Sequence, residues 1–373
     1  MDISLLSNES EVVLYGAGNL GEKICGILIN KGIKIKCFID ANKKNTYYSG
    51  IPIISLSDYC NEKEIPVVIS IFSSGADILE IFNNLAKSKK FSKIITFTQL
   101  YSCLASCIES IPKTVHDKRY FNYEYNYFWL SEDDSYLKND KIDKIYNLLS
   151  DEKSKKLFNN TVMYRKSFSM DHYPIPETNG IKEQYLGSEI GLNCDNFANY
   201  IDIGAYDGDS IKNIYNKYGK FKKLIAIEPS VKNLNKLIKV MEDNEIAEEK
   251  FLFPVGISDE FKSMGFNEGV GNGEGDHFSE FAKDKLIIAP LDGLIFDFKP
   301  TFVKMDVEGS EKSALKGMKK IITKYKPCLA VSLYHLPEDI LEIPLLVHEL
   351  NDEYKLFMRQ YSHNGFELVL YAV

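Results

Sequence analysis

No apolar run in this 373-residue sequence approaches the ~20 residues that a membrane-spanning helix needs. The opening residues also lack a charged-then-apolar leader pattern, so the expectation is a cytoplasmic protein. The P-loop pattern with its Lys-Ser/Thr ending is absent, which argues against ATP hydrolysis. No block of lysine and arginine interrupts a net charge of −8, so neither nucleic acid nor an anionic membrane surface is an expected partner. The seven cysteines are scattered. Cys103 and Cys107 form a C-x3-C pair, but no further Cys or His stands at zinc-site spacing. Reduced, mostly buried thiols and no resident metal are expected.

An apolar fraction of 45% with 26% charged residues is ordinary for a soluble protein with real cores, and the length suits two or three domains. The pattern changes character twice, giving an expected N-terminal domain over 1–105, a helical connector or lid over 106–190, and a C-terminal domain over 191–373.

In the N-terminal stretch, Glu11-Val-Val-Leu-Tyr runs into Gly16-Ala-Gly18-Asn-Leu-Gly21 and then a helical pattern. A second strand, Ile33 to Ile39, ends in Asp40. Strand, glycine turn, helix, strand and acid is the dinucleotide fingerprint in its required context. Further strands are expected at Ile65 to Ile71 and Lys93 to Phe97, giving a small Rossmann-like unit of about four strands. Gly16, Gly18, Gly21 and Asp40 are its candidate nucleotide site. Three roles stay open. A nicotinamide enzyme lacks the catalytic Tyr-x3-Lys. A nucleotide-sugar-binding domain of the kind attached to sugar-modifying enzymes is suggested by Asp40-Ala-Asn-Lys-Lys and Gly50-Ile-Pro-Ile. In a docking domain, the turn survives for packing.

In the middle, Asp143 to Phe168 has helical spacing. The aromatic run Tyr120 to Trp129 reads as an amphipathic face or a stacking surface. Tyr173 and Tyr185 are candidates to cover a site.

The second half turns on Tyr200-Ile-Asp-Ile-Gly-Ala-Tyr-Asp-Gly-Asp-Ser210. A strand runs into Asp202, Gly204 and Gly208 frame a turn, and Ser210 is positioned to cap the next helix. Asp202, Asp207 and Asp209 make this turn a poor phosphate cradle and a good one for a cationic ligand. The next strand ends in Glu228, where a doubly wound fold holds a ribose diol. Turn plus acid reads as an S-adenosylmethionine site formed by Asp202, Gly204, Ala205, Tyr206, Asp207, Gly208, Ser210, Glu228 and Pro229. A third strand, Phe251 to Val255, would leave Gly256 and Ile257 at the adenine edge. The loop Gly269 to Gly275 reads as a surface loop with no strand feeding it.

The strand Phe302 to Glu308 is expected to turn Lys304, Asp306 and Glu308 to one face, opening into the crevice at its carboxyl end. The strand from Cys328 ends at Tyr334-His335, where a neutral imidazole is a candidate general base. Asn364-Gly365 between two apolar runs signals a closing hairpin. An α/β sheet finished by an antiparallel hairpin is the seven-stranded class I methyltransferase architecture.

Residues 202–210, 227–229, 291–292 and 303–311, the strand ending in His335, Pro337-x-Asp339-x4-Pro344 and Gln184-Tyr185 together resemble the FkbM-type methyltransferases. The resemblance spans about residues 180–373. It implies S-adenosylmethionine-dependent O-methylation of a sugar hydroxyl on a nucleotide-linked sugar or glycan, in polysaccharide or glycosylated-product biosynthesis. His335 is then the expected base, Asp306 or Glu308 orients it or the sugar hydroxyls with Lys304 beside them, Asp306 also belongs to the cofactor site, and Gln184 and Tyr185 contact or cover the substrate. A divalent metal between the carboxylates is the less favoured expectation because a third acid is not obvious. A homodimer is compatible with the sequence. The alternatives are a nicotinamide-dependent nucleotide-sugar enzyme and a non-catalytic nucleotide-sugar-binding protein. Tyr206 replaces the middle glycine of the commoner methyltransferase turn.

Overall fold

The computed structural model describes residues 4–6, 9–60, 63–104, 129–131, 134–243, 245–267, 277–278 and 282–373. The aromatic run before Trp129, Cys107, His116 and the glycine-rich loop 269–275 fall outside the described residues. The chain divides into two compact units, one of residues 1–114, 130–134 and 160–174, the other of residues 115–129, 135–159 and 175–373.

The first unit contains β1 (Glu11–Tyr15), α1 (Asn19–Asn30), β2 (Lys34–Ile39), β3 (Thr46–Tyr48), β4 (Ile51–Ile54), β5 (Ile65–Ile69), α2 (Ile78–Ser88), β6 (Phe91–Thr96) and α3 (Phe97–Leu104). The sheet order is β3-β4-β2-β1-β5-β6. All neighbours run parallel except β3 against β4. Val12, Val13, Leu14, Val67, Val68 and Ile69 are wholly buried, as continuous apolar strands covered on both faces should be. Asp77 caps α2 by accepting from the Glu80 N–H at 2.9 Å. The sheet has two more strands than the four expected. β3 and β4 are three and four residues long and are joined at Gly50, whose φ is +82°. Pro52 within β4 hides their signal, because proline ordinarily argues against a strand.

The second unit is built on α4 (Asn139–Leu148), the first half of α5 (Glu152–Ser167), β7 (Asn199–Ile203), α6 (Asp209–Tyr218), β8 (Phe221–Ile227), α7 (Val231–Met241) and β9 (Ala247–Phe253). A second group follows: β10 (Gly256–Ile257), β11 (Lys262–Asn267), β12 (His277–Phe278), β13 (Lys285–Ala289) and α8 (Leu291–Leu294). The chain then continues through β14 (Phe302–Met305), α9 (Glu311–Gly317), α10 (Lys319–Tyr325), β15 (Cys328–Ser332), α11 (Asp339–Leu350), β16 (Leu356–Gln360) and β17 (Leu368–Ala372). The main sheet has seven strands in the order β16-β17-β15-β14-β7-β8-β9. β7, β8, β9, β14 and β15 are parallel, whereas β17 runs antiparallel to both β15 and β16. This is the seven-stranded class I architecture expected from the closing hairpin. Asn364 and Gly365 adopt φ of +57° and +76° in the turn that joins β16 to β17.

From β7 the chain moves outward through β8 and β9, then returns to add β14 and β15 on the other side. The reversal makes a crevice at the carboxyl ends of β7 and β14, where ligands of such sheets bind.

Several local expectations are corrected. The third strand ends at Phe253, not Val255, and begins at Ala247, where Glu248 and Glu249 point to solvent from the sheet edge. Gly256 and Ile257 form β10, paired in parallel with Ile288 and Ala289 of a separate four-stranded sheet. β11 leads towards the glycine-rich loop, so a strand does feed it. The helical connector is two helices, α4 and α5, broken at Leu149, which forms a β-bridge to Leu356.

Candidate active site

At the tip of β7, Gly204 adopts φ +77°, and a Cβ built on it would lie 1.8 Å from the carbonyl oxygen of Asp306. The turn and the end of β14 therefore touch, and only glycine permits it. The N–H groups of Gly204 and Ala205 both donate to the Ile227 carbonyl at 3.0 Å, stitching the turn to β8. Gly208, at φ +83°, precedes α6.

Asp202 is fully buried. Its carboxylate accepts from the hydroxyls of Tyr200 (2.9 Å) and Ser210 (2.6 Å) and pairs with Lys304 at 3.1 Å. Lys304 also donates to the Gly204 carbonyl at 2.5 Å. Burial works against the ammonium of Lys304, but Asp202, Asp306 and Asp209 outweigh it and raise its pKa. Lys304 and Asp202 thus brace the turn from beneath. Ser210 does not cap α6 as expected, because its hydroxyl is spent on Asp202. Asp207 stays half-buried at the surface of the turn. Asp209 is exposed at the first position of α6, and desolvation of its carboxyl still raises its pKa against the pull of Lys304.

Glu228 stands just past β8, buried, and accepts from the N–H groups of Tyr206 and Ser230, each at 2.9 Å. Desolvation raises its pKa to about 7, against the lowering effect of those N–H donors and of the Asn233 side chain. A carboxylate offers about four acceptor positions, so one remains after these three donors. Tyr206, in place of a glycine, takes the left-handed φ of +48° that its position demands. Its ring lies 5.0 Å from the Lys236 ammonium. A conformation that glycine adopts freely is held here by the bond from its own N–H to Glu228. Pro229 follows at the same tip, half-buried. A glycine turn in contact with the neighbouring strand end, beside an acid with an open acceptor position, fits a ligand with a ribose diol and a cationic group.

β14 ends at Met305, so the expected register does not run on to Glu308. Glu308 instead takes φ +50° in the turn before α9, and still its carboxylate comes within 3.6 Å of His335 Nε2. Asp306 lies 3.3 Å from the same nitrogen. Nδ1 of His335 bonds Glu311 Oε1 at 2.8 Å, and that oxygen also accepts from the Val307 N–H at 2.9 Å. Burial alone would lower the imidazole pKa, but Glu311, Glu308 and Asp306 together raise it well above its ordinary value. Those three carboxylates favour the protonated ring over the neutral imidazole expected from the sequence, and a protonated ring has no lone pair to accept a proton.

Asp306 accepts from Tyr185 Oη at 3.0 Å and from Tyr334 Oη at 3.3 Å. Burial pushes its carboxyl up, yet Lys304 and His335 outweigh it and hold Asp306 below the usual carboxylate range. Tyr185, at φ +64°, packs its ring 5.5 Å from the Lys304 ammonium. Gln184 donates to Glu367. The third acid that seemed missing is Glu311. It is buried, and together with Asp306 and His335 offers ligand atoms within 4.8 Å of one another. Glu311 Oε1 is occupied by His335 Nδ1 and the Val307 N–H, whereas the buried Glu311 Oε2 has no hydrogen-bond partner among the described residues.

Glu311 and Tyr334 stand in stretches already singled out in the sequence but were given no role there, and Glu367 was not singled out at all. Glu311 carried a signal, being the third residue after Glu308 and the first of α9. Asp292, part of the family resemblance, accepts from the N–H groups of Lys320 and Ile321 and so fixes the start of α10.

Tyr173 lies in the first unit, buried, with its ring edge-on to Tyr164 at 5.5 Å. In the same unit, Asp40 accepts from the N–H groups of Ala17 (2.9 Å), Asn42 (2.9 Å) and Lys43 (3.1 Å), and Lys43 donates to the Ala17 carbonyl at 2.6 Å. A Cβ on Gly21 would meet the Gly16 carbonyl at 2.1 Å, so this glycine is needed for helix–turn packing. Gly16 has φ +107°, and Gly18 stands in open space before α1.

Residues 202–363 match the methyltransferase FkbM domain family. No curated protein sequence matches the chain. Among solved structures, the methyltransferase FkbM of Methylobacillus flagellatus KT aligns at a TM-score of 0.71 and 19% identity, covering 100% of this chain and 92% of its own. Fibrillarin of Aeropyrum pernix, with natively bound S-adenosyl-L-methionine, aligns at a TM-score of 0.30 and 11% identity, covering 50% of this chain and 71% of its own. A precorrin-6y C5,15-methyltransferase of Geobacter metallireducens GS-15 aligns at 0.31 and 14%, covering 54% and 93%.

Proposed function

We propose that this chain, an FkbM-type methyltransferase domain over residues 202–363, transfers the methyl group of S-adenosylmethionine to a sugar hydroxyl of a nucleotide-linked sugar or glycan. The observation that carries the reading is Glu228, an acid held at the strand tip with an acceptor position left open beside the Gly204 turn. When bound, S-adenosylmethionine supplies a methyl group already activated on a sulfonium centre.

The protein's part is to align the reactants and manage one proton. Glu228 would hold the ribose, and the backbone at Gly204 to Gly208 would flank the donor's charged end. Asp207 and the ionised Asp306 favour a positive charge there. The rim over β14, β15 and β17 carries Asp306, Glu308 and Glu367 carboxylates, Tyr185 and Tyr334 hydroxyls and the Gln184 amide. So dense a set of donors and acceptors suits a polyol better than an apolar ring, which supports a sugar acceptor.

The test is incubation with methyl-labelled S-adenosylmethionine and a panel of free and nucleotide-linked sugars, followed by analysis for a labelled methyl ether. Glu228→Gln should weaken S-adenosylhomocysteine binding by roughly 10- to 100-fold in calorimetry, the loss of a charged hydrogen bond worth ~1.5–3 kcal/mol. Unchanged affinity in that variant would remove Glu228 from the site.

A further inference from the structure

The parallel strands of the main sheet present their carboxyl ends to the crevice, but β17 runs the other way. Val369 pairs with Ser332, and the Leu333 N–H donates to the Leu368 carbonyl at 2.8 Å, so the start of β17 lies level with the end of β15. Glu367, the residue before β17, is thereby delivered to the ligand edge of the sheet. Across that edge the order is Glu228 past β8, the Gly204 turn past β7, Asp306 past β14, Tyr334 and His335 past β15, then Glu367. With the ribose at Glu228 and the donor's charged end at Gly204, the acceptor falls on the side of Tyr334 and Glu367.

Glu367 is half-buried, with φ +56°, and is held by the Gln184 amide and the Tyr334 hydroxyl. Tyr334 in turn reaches Asp306, at 3.3 Å to one oxygen and 3.5 Å to the other. A protonated Glu367 can donate to the Tyr334 oxygen while Tyr334 donates to Asp306, so the proton form has a ready hydrogen-bonded place. Burial and then the charge of Asp306 raise the Glu367 pKa to about 7, against the lowering influence of Gln184 and His335. Tyr185, also on Asp306, feels the Glu367 charge from the adjacent turn. Of the neighbouring groups, Glu311, Glu308 and Asp306 favour the protonated form of His335, which accepts no proton, and Lys304 and His335 hold Asp306 more acidic than an ordinary carboxyl.

We propose that Glu367 is the general base of this methyltransferase, taking the proton of the acceptor hydroxyl. The inference rests on the reading of the site as a sugar O-methyltransferase. The acceptor oxygen forms its bond to the methyl carbon as the carbon–sulfur bond breaks. The sulfur keeps that electron pair and leaves as a neutral thioether, while the hydroxyl proton passes to the Glu367 carboxylate. Gln184 and Tyr334 are positioning residues for that carboxylate.

The experiment compares wild type with Glu367→Gln by three measurements: turnover against pH, S-adenosylhomocysteine affinity, and infrared titration of buried carboxyl groups. In the variant, kcat should fall by ~100-fold or more, and the rate limb with its midpoint near neutrality should disappear. Affinity should stay within about twofold, since Glu228 and the turn are untouched. The infrared difference should remove one of two carboxyls titrating at about 7, the other being Glu228. Turnover within a few-fold of wild type with the limb intact, or a near-neutral carboxyl surviving in the variant with no loss of signal, overturns the assignment. If Glu367→Gln does not fold, Glu367→Asp serves. A shortened carboxylate should keep a pH limb at reduced rate, and an undiminished rate overturns the assignment. Wild type that methylates no sugar sinks the reading of the site instead, and the infrared titration then still reports whether Glu367 is one of the near-neutral carboxyls.

Discussion

His335 has carboxylates on both ring nitrogens, Glu311 on Nδ1 and Asp306 and Glu308 facing Nε2. Its pKa is raised in the folded state, against the penalty of burial, so its contribution to stability has a definite sign. The stabilisation is full below the unfolded value of about 6.5 and is lost as pH rises through the folded value. His335→Gln should therefore destabilise most at pH 6, by ~3–5 kcal/mol, the usual cost of removing one member of a buried ion pair. The gap between the two melting curves should narrow steadily towards pH 10. A gap that widened with pH would mean that the ring is neutral in the fold. The sequence made His335 visible as a histidine at a strand tip. Its protonation state was illegible, because Glu308 and Glu311 reach it only through a turn and the first residue of a helix. Glu367 was hidden for a different reason. Ligands of parallel sheets gather at the carboxyl ends of strands, and an antiparallel strand brings its beginning there instead.

Elements, by contrast, were legible wherever the period was long. Most parallel strands of the two larger sheets, the helices after them and the closing hairpin follow from apolar runs and from Asn364-Gly365. What failed were short pieces whose identity is decided by neighbours: β3 and β4 beside Pro52, and the two-residue β10 that pairs with β13. The contact that organises the crevice also belongs to this scale, the β7 turn pressed against the end of β14. In Gly204→Ala the new Cβ would meet Asp306 backbone at 1.8 Å, at a φ of +77°. Neither strand can withdraw without breaking sheet pairing, so a loss of more than ~3 kcal/mol is expected, with cofactor affinity falling in parallel. Gly293→Ala is the matched control: its Cβ meets nothing within 4 Å, and its effect should stay within about ±0.5 kcal/mol. Thermal melts of both variants decide this. Equal stability in the two would mean that the turn and strand separate more easily than their packing suggests.

At the scale of the whole molecule, the two units carry the same sheet logic towards different ends. Each has a glycine turn after its first strand and an acid after its second. In the second unit Glu228 accepts from its turn through Tyr206 and keeps an acceptor position open. In the first, Asp40 accepts from Ala17, Asn42 and Lys43, and Lys43 closes over the Ala17 carbonyl. A pyrophosphate brought to that turn would set its charge against a carboxylate already bonded to the Ala17 N–H, and Asp40 is the more firmly anionic for those donors, which outweigh its burial. The two turns should therefore respond differently to ligands. S-adenosylhomocysteine at a hundredfold excess over its dissociation constant should contribute ~2.7 kcal/mol to the second unit. That is an upward shift of about 5–10 °C in a domain of roughly 200 residues. NAD at millimolar concentration should leave both transitions where they are. Scanning calorimetry of the intact chain with each ligand is the check. A shift with NAD alone would move the chemistry to the first turn and to Asp40.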